Sequence, residues 1–286
     1  MPNPSFIIPL FLQSALLPFV VALAALLMLR TPRLAKLAPL AAVSSGFLAS
    51  YFAVYHAQWS FLPHQSLDWL PWIVLLGGVA VMATENAGQA TMRHVGRLVI
   101  SVGCAGLVAW PALASGGLSQ AVLPIAATGL LIFAAWTYFS ATVKQRPTPA
   151  LVLPVVAGGS ALALMLDASQ LIGQLSGAVA ITLVACVAFN VPRLRTAFSG
   201  AAAGMVVILL GMLLANAHFY AGFSLGYVLL LAGGLLADPV VTAIGRLRQR
   251  SDGGVGSWLM AGALAAVPVL TTIGLAVRAA QESGGY

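Results

Sequence analysis

Residues 149–190 read PALVLPVVAGGSALALMLDASQLIGQLSGAVAITLVACVAFN, and this stretch decides the fold. It is about twice as long as the roughly 20 apolar residues that one membrane-spanning helix needs. The polar sequence Asp167-Ala168-Ser169-Gln170 divides it near its middle. The stretch therefore predicts two membrane helices that are joined by a very short turn.

The rest of the chain has the same character. Of its 286 residues, 60% are hydrophobic and only 7% are charged, whereas a soluble domain carries about 25% charged residues. Only helices and closed barrels satisfy their backbone in hydrocarbon, and the apolar runs lack the ~10-residue alternating units of a barrel. We therefore predict an all-α integral membrane protein, a bundle of ten transmembrane helices. The predicted helices are residues 6–29, 35–56, 67–85, 95–115, 120–140, 149–167, 170–190, 197–217, 223–243 and 256–277.

The basic residues predict how this bundle is oriented. Twelve of the 13 Lys and Arg residues fall in alternate gaps between apolar stretches, and only Arg278 lies on the other side. Short loops rich in Lys and Arg stay in the cytoplasm. We therefore predict a multi-pass protein of a bacterial inner membrane, with both termini on the outer (periplasmic) side. The twelve residues are Arg30, Arg33, Lys36, Arg93, Arg97, Lys144, Arg146, Arg193, Arg195, Arg246, Arg248 and Arg250.

The net charge of +7 does not indicate a nucleic acid as partner, because topology and the anionic inner leaflet explain the positive residues. Asp238-Pro239 is typical of the N-cap and first residue of a short helix. Such a helix along the inner surface would carry Arg246, Arg248 and Arg250 towards anionic lipid headgroups. The lipid bilayer is thus the expected partner, and other membrane subunits are an open alternative.

The sequence also contains a candidate internal repeat. Arg30-Thr31-Pro32-Arg33-Leu34 follows the first helix, and Asn190-Val191-Pro192-Arg193-Leu194 follows the seventh. The third and ninth helices each contain a Gly-Gly pair and end at an acid, Glu85 or Asp238. These matches suggest that helices one to four and seven to ten are parallel copies, as found in some transporters. The predicted halves are residues 6–115 and 170–277, linked by helices at 120–167 within a single membrane domain, 1–286.

Polar residues in otherwise apolar helices give a candidate binding site. Asp167, Gln170 and Gln174 are spaced by three and four residues, which predicts one helical face entering from the outer side. Gln13 and Ser14 lie at a similar depth on the first helix. Because interrupted helices at matching positions point to transporter sites, we predict an outward-open polar recess between these residues. In the alternative, the amides only make interhelical hydrogen bonds worth about 1 kcal/mol or less each.

Two further patterns concern packing. Glu85 is expected to pair with Arg93 or Arg97 as an exposed ion pair worth about 0–1 kcal/mol. Gly173 to Gly177 and Gly200 to Gly204 are GxxxG patterns, which let helix backbones approach closely. We expect both patterns to serve packing inside one bundle rather than a dimer interface.

Metal binding and catalysis have weaker support. His56, His64, Asp68 and His218 all fall on the predicted outer side, and such side chains are zinc or copper ligands. However, no tight ligand spacing such as HxxxH occurs. The chain also lacks a nucleotide-binding loop, a nucleophile elbow, an HExxH motif and a haem-attachment motif. We therefore expect no metal, no cofactor and no enzymatic activity.

Two functions remain open. The six acids and the basic residues all fall at predicted helix ends or in loops, which argues against a proton pump. The candidate repeat and the polar recess favour a permease for a small neutral or lipidic compound. The missing charges and the short loops instead favour a non-catalytic membrane subunit or scaffold of a larger complex.

Overall fold

The computed structural model describes residues 4–31, 34–111, 118–143, 145, 148–190, 198–247 and 255–282. Within these ranges the chain is almost entirely helical and contains no β-strand. Ten main helical runs, named α1 to α10, follow one another along the described chain. They are α1 (Pro4–Phe11, a π-helical segment Leu12–Leu16, and Leu17–Met28), α2 (Ala38–Tyr55), α3 (Ser66–Asp68, Trp69–Trp72, a π-helical segment Ile73–Gly77, and Gly78–Glu85), α4 (Ala90–Val108), α5 (Leu118–Thr142), α6 (Pro149–Asp167), α7 (Gln170–Asn190), α8 (Gly200–Tyr220), α9 (Leu225–Gly234 and Ala237–Leu247) and α10 (Val255–Glu282).

Nine of these runs in the described part of the chain are long and apolar enough to cross a membrane. The chain is therefore a multi-pass helical membrane protein, as its composition predicts. The exception is α4, which was predicted at residues 95–115 but begins at Ala90 and ends at Val108. The earlier start adds Arg93 to the helix, and Arg93 and Arg97 together make it less apolar than the other nine.

The long apolar stretch that opened the sequence folds into α6 and α7, which are separated only by Ala168 and Ser169. The Ser169 hydroxyl accepts a hydrogen bond from the backbone N–H of Ile172 at 3.5 Å, the contact expected of an N-cap residue. A methyl group at Gly173 would overlap the side chain of Met165 on α6. The two helices therefore pack closely along their length, as small residues at an interface allow.

The helix α8 is the centre of the bundle. It contacts α2, α3, α4, α5, α6, α7 and α9. Of the residues in its most apolar 18-residue stretch, 94% are buried inside the protein. Around it, α1 and α2 pack with α7, α4 packs with α5, and α10 packs with α6 and α9. A methyl group at Gly204 would overlap the indole of Trp136 on α5. The glycines of α8 therefore serve packing inside the bundle, as predicted.

Hydrogen bonds between distant residues hold the ends of the helices together. The Ser66 hydroxyl donates to the Asn216 side chain at 2.9 Å, and the Tyr220 hydroxyl donates to the Val108 carbonyl at 2.8 Å. The start of α3 and the last turns of α4 and α8 therefore meet at one end of the bundle. The basic residues predict this end to be outside, and Glu85 at the end of α3 then lies at the predicted inner end.

The short helix predicted to have Asp238 as its N-cap and Pro239 as its first residue begins earlier in the structure. The second part of α9 begins at Ala237, so Asp238 lies inside α9 rather than before it. Asp238 is fully buried and accepts hydrogen bonds from the hydroxyls of Tyr138, at 2.6 Å, and Thr148. It is therefore a buried acceptor and not a surface N-cap. The headgroup contacts of Arg246, Arg248 and Arg250 stay predictions, because these side chains lie outside the described part of the chain.

The parallel repeat of α1 to α4 and α7 to α10 also stays a prediction. Each half has contacts between its first two and its last two helices, but consecutive elements usually neighbour each other in any fold. The two halves differ in how deeply their second helices are buried. In α8, 94% of the most apolar 18-residue stretch is buried, whereas in α2, its proposed counterpart, the value is 56%. Pro32 and Pro192, on which the match partly depends, lie outside the described residues.

Candidate functional site

A recess of about 480 Å³ lies between α1, α2 and α7 at the predicted outer end. Gln13 from α1 and Gln170 and Gln174 from α7 line it together. Gln170 and Gln174 line the same side of the recess because residues four positions apart lie on the same face of a helix. The structure thus brings three of the five predicted site residues together. The remaining lining residues are Pro9, Leu10, Val54, Ser169 and Leu171.

Gln174 is the deepest polar group of this recess. Its side chain is only 7% exposed, and its Oε1 has no hydrogen-bond partner among the described residues. A buried polar atom without a partner costs about 1–3 kcal/mol. The recess therefore contains a hydrogen-bond acceptor that a water molecule or a bound compound would satisfy.

The irregular shape of α1 places Gln13 in the recess. Leu12–Leu16 forms a π-helical segment within α1, and such segments are frequent at functional sites. Pro9 lies inside the helix before this segment, and Pro18 lies in the first turn of the helix after it. Because proline has no backbone N–H to donate, the regular hydrogen-bond pattern is interrupted on both sides of Gln13. The predicted interruption of the first helix near Gln13 is therefore present.

Ser14 and Asp167 do not line the recess. The buried Ser14 hydroxyl instead donates to the carbonyl of Leu10, one turn earlier on α1, at 2.5 Å. Asp167 is the last residue of α6, and the break at Ala168 separates it from α7. The predicted common helical face therefore holds for Gln170 and Gln174 but is wrong for Asp167.

A buried ion pair lies at the predicted inner end. Arg97 Nη2 is 2.8 Å from Glu85 Oε1, and Arg97 Nε donates to the same oxygen at 2.9 Å. The indole N–H of Trp136 also donates to this oxygen, at 3.0 Å, and the guanidinium lies 5.9 Å from the centre of the Trp136 ring. Each charged side chain is only 8% exposed. The predicted pairing with Arg97 is confirmed, and its predicted exposure is wrong.

The four weak metal-ligand candidates are engaged elsewhere or exposed. Asp68 Oδ2 accepts the backbone N–H groups of His64 and Gln65, each at 3.0 Å, and so caps the start of α3. His218 Nδ1 lies 2.7 Å from a backbone carbonyl of the connection to α9, and His56 is exposed after α2. Among the residues that the structure describes, no group of three His, Cys, Asp or Glu side chains could hold a metal ion.

A second and larger cavity, of about 650 Å³, lies between α5, α8 and α9. Among the described residues that line it, the polar side chains are those of Thr128, Tyr138 and His218, and the others are apolar. Sequence reasoning missed this cavity because the apolar residues that line it have the same composition as those of the core. Only the arrangement of the three helices reveals the space between them.

No family model, curated protein or solved structure matches the chain.

Proposed function

We propose that the protein is a permease-like transporter for a small neutral or lipidic compound in a bacterial inner membrane. The recess formed by Gln13, Gln170 and Gln174 would be its outer binding site. The observation that carries this proposal is the buried Oε1 of Gln174, which no described residue satisfies. The chain needs no catalytic residue for this function.

The chemistry of the recess favours a neutral ligand. None of the eight described residues that line it is charged, so an ion would lose its hydration without a compensating charge from them. Each glutamine amide can both donate and accept hydrogen bonds, which suits hydroxyl, carbonyl or amide groups. Pro9, Leu10 and Val54 supply apolar surface for a carbon skeleton, the usual combination in small-molecule sites.

The structure of α1 supports a role in opening and closing this recess. In α1, only 22% of the most apolar 18-residue stretch is buried inside the protein. The helix makes its main contacts with α2 and α7. A weakly packed helix that a π-helical segment interrupts can move with little loss of packing. Gln13 lies in that segment, so movement of α1 would change the ligand contacts directly.

The test is uptake into vesicles that contain the purified protein, with a panel of radiolabelled neutral sugars, polyols, amides and monoacylglycerols. For a compound that the wild type transports, we expect Gln174→Leu to lower uptake about tenfold, because one buried hydrogen bond of about 1.4 kcal/mol is lost. The unfolding temperature should stay the same or rise slightly, since leucine needs no partner. The matched control is Gln58→Leu, an exposed residue between α2 and α3 outside the recess, which should leave uptake unchanged.

The same preparations separate this proposal from the alternative. Unchanged uptake in Gln174→Leu would show that the recess is not the binding site. A protein that transports none of the panel and purifies in mild detergent with stoichiometric partners would instead be a non-catalytic membrane subunit.

A further inference from the structure

We propose that the cavity between α5, α8 and α9 binds one acyl chain of a membrane lipid. We call this cavity the α5–α9 groove; Leu123, Ala127, Leu131, Leu210, Leu229 and Tyr138 mark its course. The groove shares no lining residue with the recess between α1, α2 and α7. Lipid binding there would therefore be independent of the proposed transport site.

The depth of the groove points to a hydrocarbon ligand. All three helices are among those long and apolar enough to cross a membrane. On α5 the lining residues run from Leu123 to Phe139, which is about 24 Å at a rise of 1.5 Å per residue. This distance covers most of the ~30 Å hydrocarbon core of a bilayer. In the hydrocarbon core no bulk water is present, and an apolar cavity does not bind water. The acyl chains of the surrounding lipids are therefore the molecules that can occupy this space.

The shape of the groove suits a single hydrocarbon chain. Its volume is about 650 Å³, and the residues of α5 that line it extend over about 24 Å at 1.5 Å per residue. The groove is therefore elongated along the helices, as an extended hydrocarbon chain requires.

The polar groups of the groove indicate which way the lipid lies. Leu123 and His218 line its predicted outer end, and Tyr138 lines its inner part. The Tyr138 hydroxyl already donates to the buried carboxylate of Asp238 at 2.6 Å. His218 is partly exposed at the end of α8, where the ester and headgroup of a lipid would lie. We therefore place the headgroup beside His218 and the end of the chain near Tyr138.

The experiment uses the full chain in vesicles of phosphatidylethanolamine and phosphatidylglycerol, doped with a phospholipid that carries a photoreactive diazirine in its acyl chain. After illumination, mass spectrometry of peptides locates the label. We expect saturable labelling of the groove walls on α5 and α9, several-fold above that of the exposed face of α3 at Leu75, Leu76 and Val79. Labelling that rises in proportion to the probe and is equal on both surfaces would overturn the proposal.

Two variants make the test specific to the groove. Ala127→Phe fills the groove from α5, and Leu229→Trp fills it from the opposite wall on α9, so either should reduce the label several-fold. The matched control Ala263→Phe adds the same bulk at an exposed site on α10 outside the groove and should leave it unchanged. Full labelling in a folded Ala127→Phe or Leu229→Trp protein would contradict the proposal. Protection of α5 and α9 by a co-purifying protein or a second copy would also contradict it.

Discussion

At the scale of single residues, the Glu85 carboxylate is buried and held by several neighbouring groups. One of its oxygens accepts hydrogen bonds from Arg97 and from the Trp136 indole, and a methyl group at Gly200 would overlap its other oxygen. A lone charge in such an enclosed place is far more costly than a pair. The two charges therefore depend on each other for their burial.

We predict that Arg97→Met destabilises the protein by about 3–5 kcal/mol, because it leaves the Glu85 carboxylate buried without its counter-charge. Denaturant unfolding in mild detergent measures this loss, and adding Glu85→Gln should restore part of it. Arg93→Met is the matched control, since Arg93 is partly exposed and, among the described residues, donates only one long hydrogen bond, of 3.4 Å, to the carbonyl of Ala87. Equal losses in Arg97→Met and Arg93→Met would show that the pair is not the cause.

The polar residues differ in how far their positions could be predicted. Gln170 and Gln174 were predictable, because amides are rare in apolar helices and a spacing of four residues puts both on one face. The burial of Asp238 was not, because its partners Tyr138 and Thr148 lie 100 and 90 residues away in the chain. Hydropathy describes each helix separately, whereas these contacts depend on which helices become neighbours.

At the scale of the helices, close approach is governed by glycines whose missing side chains make room for a neighbour. We predict that Gly204→Ala destabilises the protein by about 1–3 kcal/mol, because the added methyl group forces the Trp136 indole to move. Gly103→Ala is the matched control on α4. Apart from its chain neighbours and the backbone of its own helix, no atom of the described residues lies within 4 Å of the added methyl group, so alanine should be neutral or stabilise the helix by up to about 1 kcal/mol.

Thermal unfolding compares the two variants, and tryptophan fluorescence reports the displaced indole. A Gly204→Ala protein as stable as the wild type, with unchanged fluorescence, would mean that α5 and α8 pack less closely than described.

The positions of most helices followed from hydropathy, and the exceptions have physical causes. Nine predicted helices have counterparts that are long and apolar enough to span a membrane, because length and apolarity are properties of each segment alone. The start of α4 was predicted at residue 95 instead of Ala90 because Arg93 and His94 are polar, and hydropathy places such residues outside a membrane helix. The groove could not be predicted, since it depends on how three helices diverge.

At the scale of the whole molecule, the alternation of basic residues predicts which side each connection faces. A reporter that is active only in the cytoplasm should be active when fused after Arg146 or Arg195 and silent when fused after Gly117 or Tyr220. Three of these positions lie outside the described residues, and Tyr220 ends α8. Activity of the Tyr220 fusion would refute the orientation with both termini outside.

The enclosed position of α8 has a consequence for synthesis on the ribosome. Seven of the described helical runs precede it in the chain, and six of them contact it in the finished protein. They cannot close around a centre that has not yet been made, so the nascent bundle must stay open until residue 220 has emerged. At about 5–20 residues per second, the interval from the end of α1 to that point is roughly 10–40 s. During this time the surfaces that later enclose α8 are accessible to lipids, insertion factors and membrane proteases.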